Sequence, residues 1–268
     1  MTGTDATTLT PHPVLTRYYD HAASRHAHVV RLFEKTAQHY DRMNSVLSFG
    51  TGTRYRREAL HRAGIAVGTR LLDVGTGTGV IALEAMDLVG PDGHVTAVDP
   101  SRPMLDVARR RGVSDVRIGT AEALPCDDSS YDMVTMGYAL RHVNDLTVLC
   151  RELVRVLRPG GVLLILEQTP PRAWALNLLY KLYMKTVVPR VSRLVTGSRD
   201  AAALMNYYWD TLDQCVPAAS IIGALEAAGL TAVRRNVIMW CFSEYTARRP
   251  ADRVAAAESD HSGRRTLS

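Results

Sequence analysis

Residues 71–80 read LLDVGTGTGV: an apolar run, then glycine at every second position from Gly75 to Gly79, then apolar residues again. Glycines so spaced keep side chains off a turn that something approaches closely. A turn built for a pyrophosphate has the spacing GxGxxG and opens a helix onto the phosphates. Here the order is Asp73, Val74, Gly75, Thr76, Gly77, Thr78, Gly79, and a carboxylate two residues before the first glycine is a poor neighbour for phosphate. A ligand with an amine and a carboxylate suits it better. The glycines let its chain lie against the backbone, and Asp73 favours its ammonium directly or through a water.

Outward from this turn the sequence alternates. Apolar strands are predicted at 70–74, 94–98, 116–119, 132–136 and 161–167, with helical spacing at 79–88, 102–111 and 145–157 between them. Two further strands, 231–239 and 241–248, read as a closing hairpin. The pattern predicts an α/β fold, a doubly wound, mostly parallel seven-stranded sheet of the Rossmann-like type. Helices are expected at 15–40 (Val29, Val30, Leu32, Phe33 and Ala37 in helical spacing), at 54–63 ending near Gly64, and at 218–228. The stretch 173–212 is helical and rich in aromatics, which suggests a cover. The expected organisation is therefore a helical extension or lid over 1–50, a main domain over 51–249 with its cover at 173–212, and a disordered tail over 250–268.

A chain of 268 residues suits one such domain. The net charge of +5 comes from scattered arginines, with no long basic stripe, so no nucleic-acid partner is expected. Cys126, Cys150, Cys215 and Cys241 show no CxxC spacing, and they fit free thiols in a reducing cytoplasm. No metal is expected. The most apolar segment, Trp174–Val188, is interrupted by Lys181 and Lys185 and falls short of the ~18–20 residues of a membrane span, so no stable membrane insertion is expected.

Asp99 ends the second strand in TAVDP, where a carboxylate can accept hydrogen bonds from both hydroxyls of a ribose. Pro100, Ser101 and Met104 follow, with an apolar surface for an adenine; Thr120 and Ala121, in GTAEALP, sit where a purine edge is read. Glu122 and Met136 are assigned to the same wall. A glycine loop for an amino-acid chain, an acid for a ribose and a purine station together describe S-adenosylmethionine. Taken singly, Asp99 also reads as a helix cap and Met104 as core.

The stretches YDRMNSVLSFG (40–50), LLDVGTGTG (71–79), AEALPCDDSSYD (121–132), ALRHV (139–143) and LRPGGVLLILE (157–167) resemble the class I S-adenosylmethionine-dependent methyltransferases. More narrowly, they resemble the ubiquinone/menaquinone-biosynthesis C-methyltransferase family. YDRMNSVLSFG and ALRHV carry the narrower likeness because they lie outside the cofactor frame. The resemblance implies methyl transfer to a ring carbon of an electron-rich hydroxylated aromatic. It puts Tyr40 and Asn44 in an entrance segment beside cofactor and acceptor, and Arg141 on the acceptor side of the fourth strand. Tyr138, Tyr180, Tyr207 and Trp240 are assigned to the acceptor as well. His142 stands where the family has Asn, and Met239-Trp240-Cys241-Phe242 replaces a small, glycine-rich segment.

These departures point to a reshaped pocket and to a bulky quinol, naphthol or indole in specialised metabolism. Quinone-cofactor biosynthesis and a non-methylating cyclase of the same fold are the alternatives. His142 is the candidate base, since an imidazole titrates near working pH, or else a cap for the helix that follows. Arg141 is the candidate partner of a developing phenolate, and Tyr40 a third catalytic candidate. A homodimer is compatible with all of this.

Overall fold

The computed structural model describes residues 8–47 and 51–252, apart from the side chains of residues 22, 39 and 41–47. Its strands are β1 (Arg70–Val74), β2 (His94–Asp99), β3 (Asp115–Ile118), β4 (Tyr131–Gly137), β5 (Leu157–Gln168), β6 (Thr231–Ile238) and β7 (Phe242–Arg248). They form one seven-stranded sheet in the order β3-β2-β1-β4-β5-β7-β6. All pairings from β3 to β5 are parallel, and β7 runs antiparallel to both of its neighbours. The chain winds outward from β1 through β2 to β3, then returns to lay β4 on the other side of β1. That reversal opens a crevice at the carboxyl ends of β1 and β4, where sheets of this kind place ligands.

The helices are α1 (Arg25–Leu47), α2 (Gly52–Ala63), α3 (Val80–Val89), α4 (Arg102–Arg110), α5 (Leu146–Val156), α6 (Trp174–Leu182), α7 (Val188–Thr196), α8 (Arg199–Asp213) and α9 (Ala218–Ala227). Their limits follow local chemistry. Gly64, at φ +89, closes α2 in the left-handed conformation. Ser101 caps α4 by accepting from Met104 N, and Asp145 caps α5 by accepting from Thr147 N at 2.7 Å. On one face of the sheet Leu72, Val134 and Ile165 pack with Leu149 and Leu153 of α5 and Leu225 of α9. On the other, Leu71, Ala97 and Leu164 pack with Leu60 of α2 and Ala82 of α3.

Two expectations shift. The first helix begins at Arg25, after a short 3-10 turn over Ala22–Ser24, and not at residue 15. Upstream, Pro11 and Pro13 break helical bonding, and the chain straps across the molecule instead. Leu146 N donates to Leu9 O and Val216 N to Pro11 O, each at 2.8 Å. β5 starts at Leu157 because the Arg-Pro-Gly-Gly stretch, with Gly160 at φ +81, is absorbed as a bulge opposite Tyr131 and Met133. The cover is α6, a π-helical turn (Tyr183–Val187), α7 and α8, and it packs on α1. Met184, Val188, Leu204 and Trp209 enclose Leu32, Phe33 and Tyr40. From residue 253 onward the expected tail lies outside the described residues. Among the described residues no helix is long and apolar enough to cross a membrane.

Candidate active site

The glycine loop follows β1 and is held from behind. Asp73 is buried, and its two oxygens accept from Thr76 Oγ1 and Thr135 Oγ1, each at 2.7 Å. Thr76 N donates to Val98 O on β2. Gly75, Gly77 and Gly79 all have positive φ, but for different ends. A Cβ at Gly75 would stand 2.6 Å from Ala139 Cβ, and one at Gly79 would meet Val113 and Ala108 of the α4 region. At Gly77 a Cβ would meet nothing within 4 Å, because that residue faces an open cleft.

Asp99 ties the loop to its neighbours. Its Oδ2 accepts from Gly77 N and its Oδ1 from Ser101 N, both at 2.8 Å. An ionised carboxylate accepts about four hydrogen bonds, so about two sites remain for a ligand's hydroxyls. Burial, helped by the nearby Asp73, pushes Asp99 up to about 6 against the two amide donors. Burial likewise raises Asp73 to about 6, against the hydrogen bonds from Thr76 and Thr135.

The cleft opens to solvent between α1 and the carboxyl ends of β1, β2 and β4, a concave setting usual for small-molecule sites. Of the residues assigned to the cofactor, Gly75, Gly77, Asp99, Pro100, Ser101, Met104, Thr120, Ala121, Glu122 and Met136 all line it. Asp73, Thr76 and Gly79 do not. They stand behind the loop and shape it, so Asp73 has no direct path to a ligand's ammonium. Glu122 also accepts from the backbone of Asn144 and Asp145, at 2.9 and 2.8 Å, and so fixes the far rim. The glycine cradle and the spare acceptors of Asp99 fit S-adenosylmethionine.

The acceptor-side candidates divide. Tyr40, Tyr138 and His142 line the same cleft. Tyr138 does so with φ +59, a conformation bulky residues rarely adopt outside functional sites. His142 lies in a 3-10 turn over Leu140–His142 and caps nothing, since Asp145 caps α5. Its ring stacks on Tyr207 at 5.7 Å and meets the edge of Phe33 at 5.3 Å; neither ring nitrogen has a partner among the described residues. Burial, then the charge of Arg141, holds its proton affinity well below the usual 6.5.

Arg141 itself turns away from the cleft, fully buried, into an ion pair with Glu167 and onto the face of Tyr208 at 4.2 Å. Tyr207 is buried beneath His142, while Tyr180 donates to Gln168 Oε1 at 3.1 Å and, like Trp240, borders a separate groove. The side chain of Asn44 lies outside the described residues. Sequence reading missed His26, Val29, Val30 and Phe33 of α1 as cleft wall. Their apolar spacing was visible, but spacing does not say what a helix faces.

A model of the ubiE/COQ5 methyltransferase family matches residues 21–239, a span that contains every residue of the cleft. The chain belongs to that family. It is similar to the demethylmenaquinone methyltransferase of Geobacillus kaustophilus, 38% identical over 181 residues that cover 65% of this chain and 77% of the relative. The corresponding enzyme of Staphylococcus aureus strain JH9 is 37% identical over 176 residues, covering 64% and 73%. Among solved structures, a S-adenosylmethionine-dependent methyltransferase from Thermotoga maritima superposes with a TM-score of 0.57 at 20% identity, over 82% of this chain and 99% of that one. Phosphoethanolamine N-methyltransferase 2 of Haemonchus contortus, solved with S-adenosylmethionine, gives 0.55 at 17% identity over 74% and 52%. These two are likenesses of fold. The protein is a methyltransferase of the ubiE/COQ5 family, and S-adenosylmethionine is its methyl donor.

Proposed function

We propose that this methyltransferase methylates a ring carbon of a hydroxylated aromatic of the quinol class, as in quinone biosynthesis. The curated relatives are demethylmenaquinone methyltransferases, which favours this reading over the specialised-metabolite acceptor that the departures in ALRHV and MWCF suggested. The observation that carries it is the meeting of Tyr40 and His142, from the two family-specific stretches, in the cleft that also contains Asp99 and Gly77.

The donor, when bound, supplies an electrophilic sulfonium methyl. Asp99 would hold its ribose, and Gly77 leaves room for its amino-acid chain. Val30, Phe33 and Tyr138 offer the acceptor ring an apolar wall that excludes water and orients it. As the carbon–carbon bond forms and the methyl leaves sulfur, the ring carbon must shed its proton. His142 stays neutral at neutral pH and has free ring nitrogens, so it is available to take that proton. Its low proton affinity makes it too weak to strip a phenol, which ionises near ~10. It suffices for the far more acidic proton of a methylated, cationic ring. Arg141 then acts through His142: Glu167 balances its charge, and its field adds to burial, the larger cause, in keeping the imidazole unprotonated.

The test is a labelled-methyl assay with reduced naphthoquinols, simple naphthols and indoles, compared by kcat/KM. Quinols are expected to lead; turnover confined to indoles removes the quinol reading.

A further inference from the structure

The apolar stretch Trp174–Val188 takes no part in the cleft, and much of it is not core. No residue of α6 is buried, and Trp174, Leu178, Leu179 and Leu182 stand exposed, Trp174 by 79%. Across a shallow open groove, lined by Leu176, Leu179 and Tyr183 among others, stand Met239 and Trp240 at the β6–β7 turn. Trp240 is 74% exposed, and the two residues take φ +48 and +64, where a turn would ordinarily use Asn or Gly. Scattered exposed apolar residues are ordinary; a contiguous patch of this kind is the mark of a surface that meets something.

Charge identifies what it meets. From Gln168 to Arg199 the chain carries Arg172, Lys181, Lys185, Arg190, Arg193 and Arg199 and no Asp or Glu. Of these six cations only Lys181 has a carboxylate partner among the described ion pairs, Asp213 at 4.0 Å. A two-fold contact between copies would set this face against itself and bring like charges together. An amphipathic helix with Trp and Leu on one side and Lys and Arg beside them matches a bilayer interface rich in acidic lipid.

We propose that this face rests on an anionic lipid surface. α6 lies in the interface, Trp174 and Trp240 sit at headgroup level, and the basic residues meet lipid phosphates. The inner side of the same cover packs on Phe33 and Tyr40, so a molecule drawn from the lipid would reach the cleft beneath it. Binding is measured without any acceptor, so its outcome is separate from that of the quinol reading.

The test is sedimentation of the full chain with sucrose-loaded vesicles of phosphatidylcholine, alone or mixed equally with phosphatidylglycerol. Binding to the mixed vesicles only, weakening with salt, is expected. One basic residue near an acidic surface is worth roughly fivefold in partition, so Arg172→Gln with Lys185→Gln should lower it roughly 25-fold. Trp174→Ser with Leu178→Ser should lower it by roughly tenfold per side chain. Both pairs lie outside the cleft, so unchanged S-adenosylmethionine affinity certifies the fold. Brominated lipid should quench Trp174 and Trp240 and spare the buried Trp209. The proposal is overturned by absence of binding to the mixed vesicles, or by binding that both double variants retain. It is equally overturned by a solution dimer that Trp174→Ser with Leu178→Ser dissolves, which would make this face a contact between copies.

Discussion

Replacing Asp99 with alanine removes two things that the structure keeps apart. The first is the pair of spare acceptor sites offered to a ribose. Hydrogen bonds to a charged group contribute ~1.5–3 kcal/mol, which is roughly ten- to hundredfold in affinity. The second is the anchor on Gly77 N and Ser101 N. Leaving the buried Ser101 amide unpaired costs ~1–3 kcal/mol, and the part-buried Gly77 amide less. Against this, burial has raised the carboxyl from 3.8 to about 6, so at neutral pH the free protein carries about 3 kcal/mol of unfavourable charge, at ~1.36 kcal/mol per pH unit. The two stability effects nearly cancel, whereas nothing offsets the loss in binding. Asp99→Ala should therefore melt close to wild type and bind S-adenosylmethionine at least tenfold more weakly by calorimetry. A folded Asp99→Ala protein with wild-type affinity would refute the assignment.

Further outcomes follow from the same geometry. Because the folded value of Asp99 lies above 3.8, the native state holds that proton more tightly than the unfolded chain. Relative to Asp99→Asn, wild type should lose about 3 kcal/mol as pH rises from about 4 through about 6; denaturant melts showing a gain would contradict it. Gly77→Val should weaken cofactor binding, since its Cβ enters the cleft at φ +56; unaltered affinity would leave the loop as a turn only. His142→Ala should lower turnover by ~10²–10⁴-fold with cofactor affinity retained, and a fully active variant removes the base. Arg25→Ala should destabilise the strap by ~2–4 kcal/mol, because its buried guanidinium donates to Val143 O and His12 O at 3.0 and 2.9 Å; an unchanged melt would show the strap to be dispensable.

Most of the sheet was legible because its strands are short apolar runs bounded by glycine and proline, and period and punctuation both survive in one sequence. The candidate cofactor residues were brought together for a related reason: a loop followed by an acid is a local pattern, and ten of the residues assigned to it line one cleft. Arg141 was misjudged because its neighbour in space, Glu167, is 26 residues away, and no local pattern announces that pair. Asp73 was misjudged similarly, since Thr135 belongs to another strand. The start of α1 was misplaced because the strap from Leu9 is held by Leu146 and Val216, contacts that exist only once the chain has folded.

The central claim is that the cleft beneath α1 builds a carbon–carbon bond. Its most direct test is carbon-13 NMR of the product formed from S-adenosylmethionine labelled at the methyl group and a reduced naphthoquinol. The account predicts a labelled methyl coupled to a ring carbon, and with His142→Ala the same product formed slowly. A label found on oxygen, or none incorporated while the cofactor still binds, would contradict it.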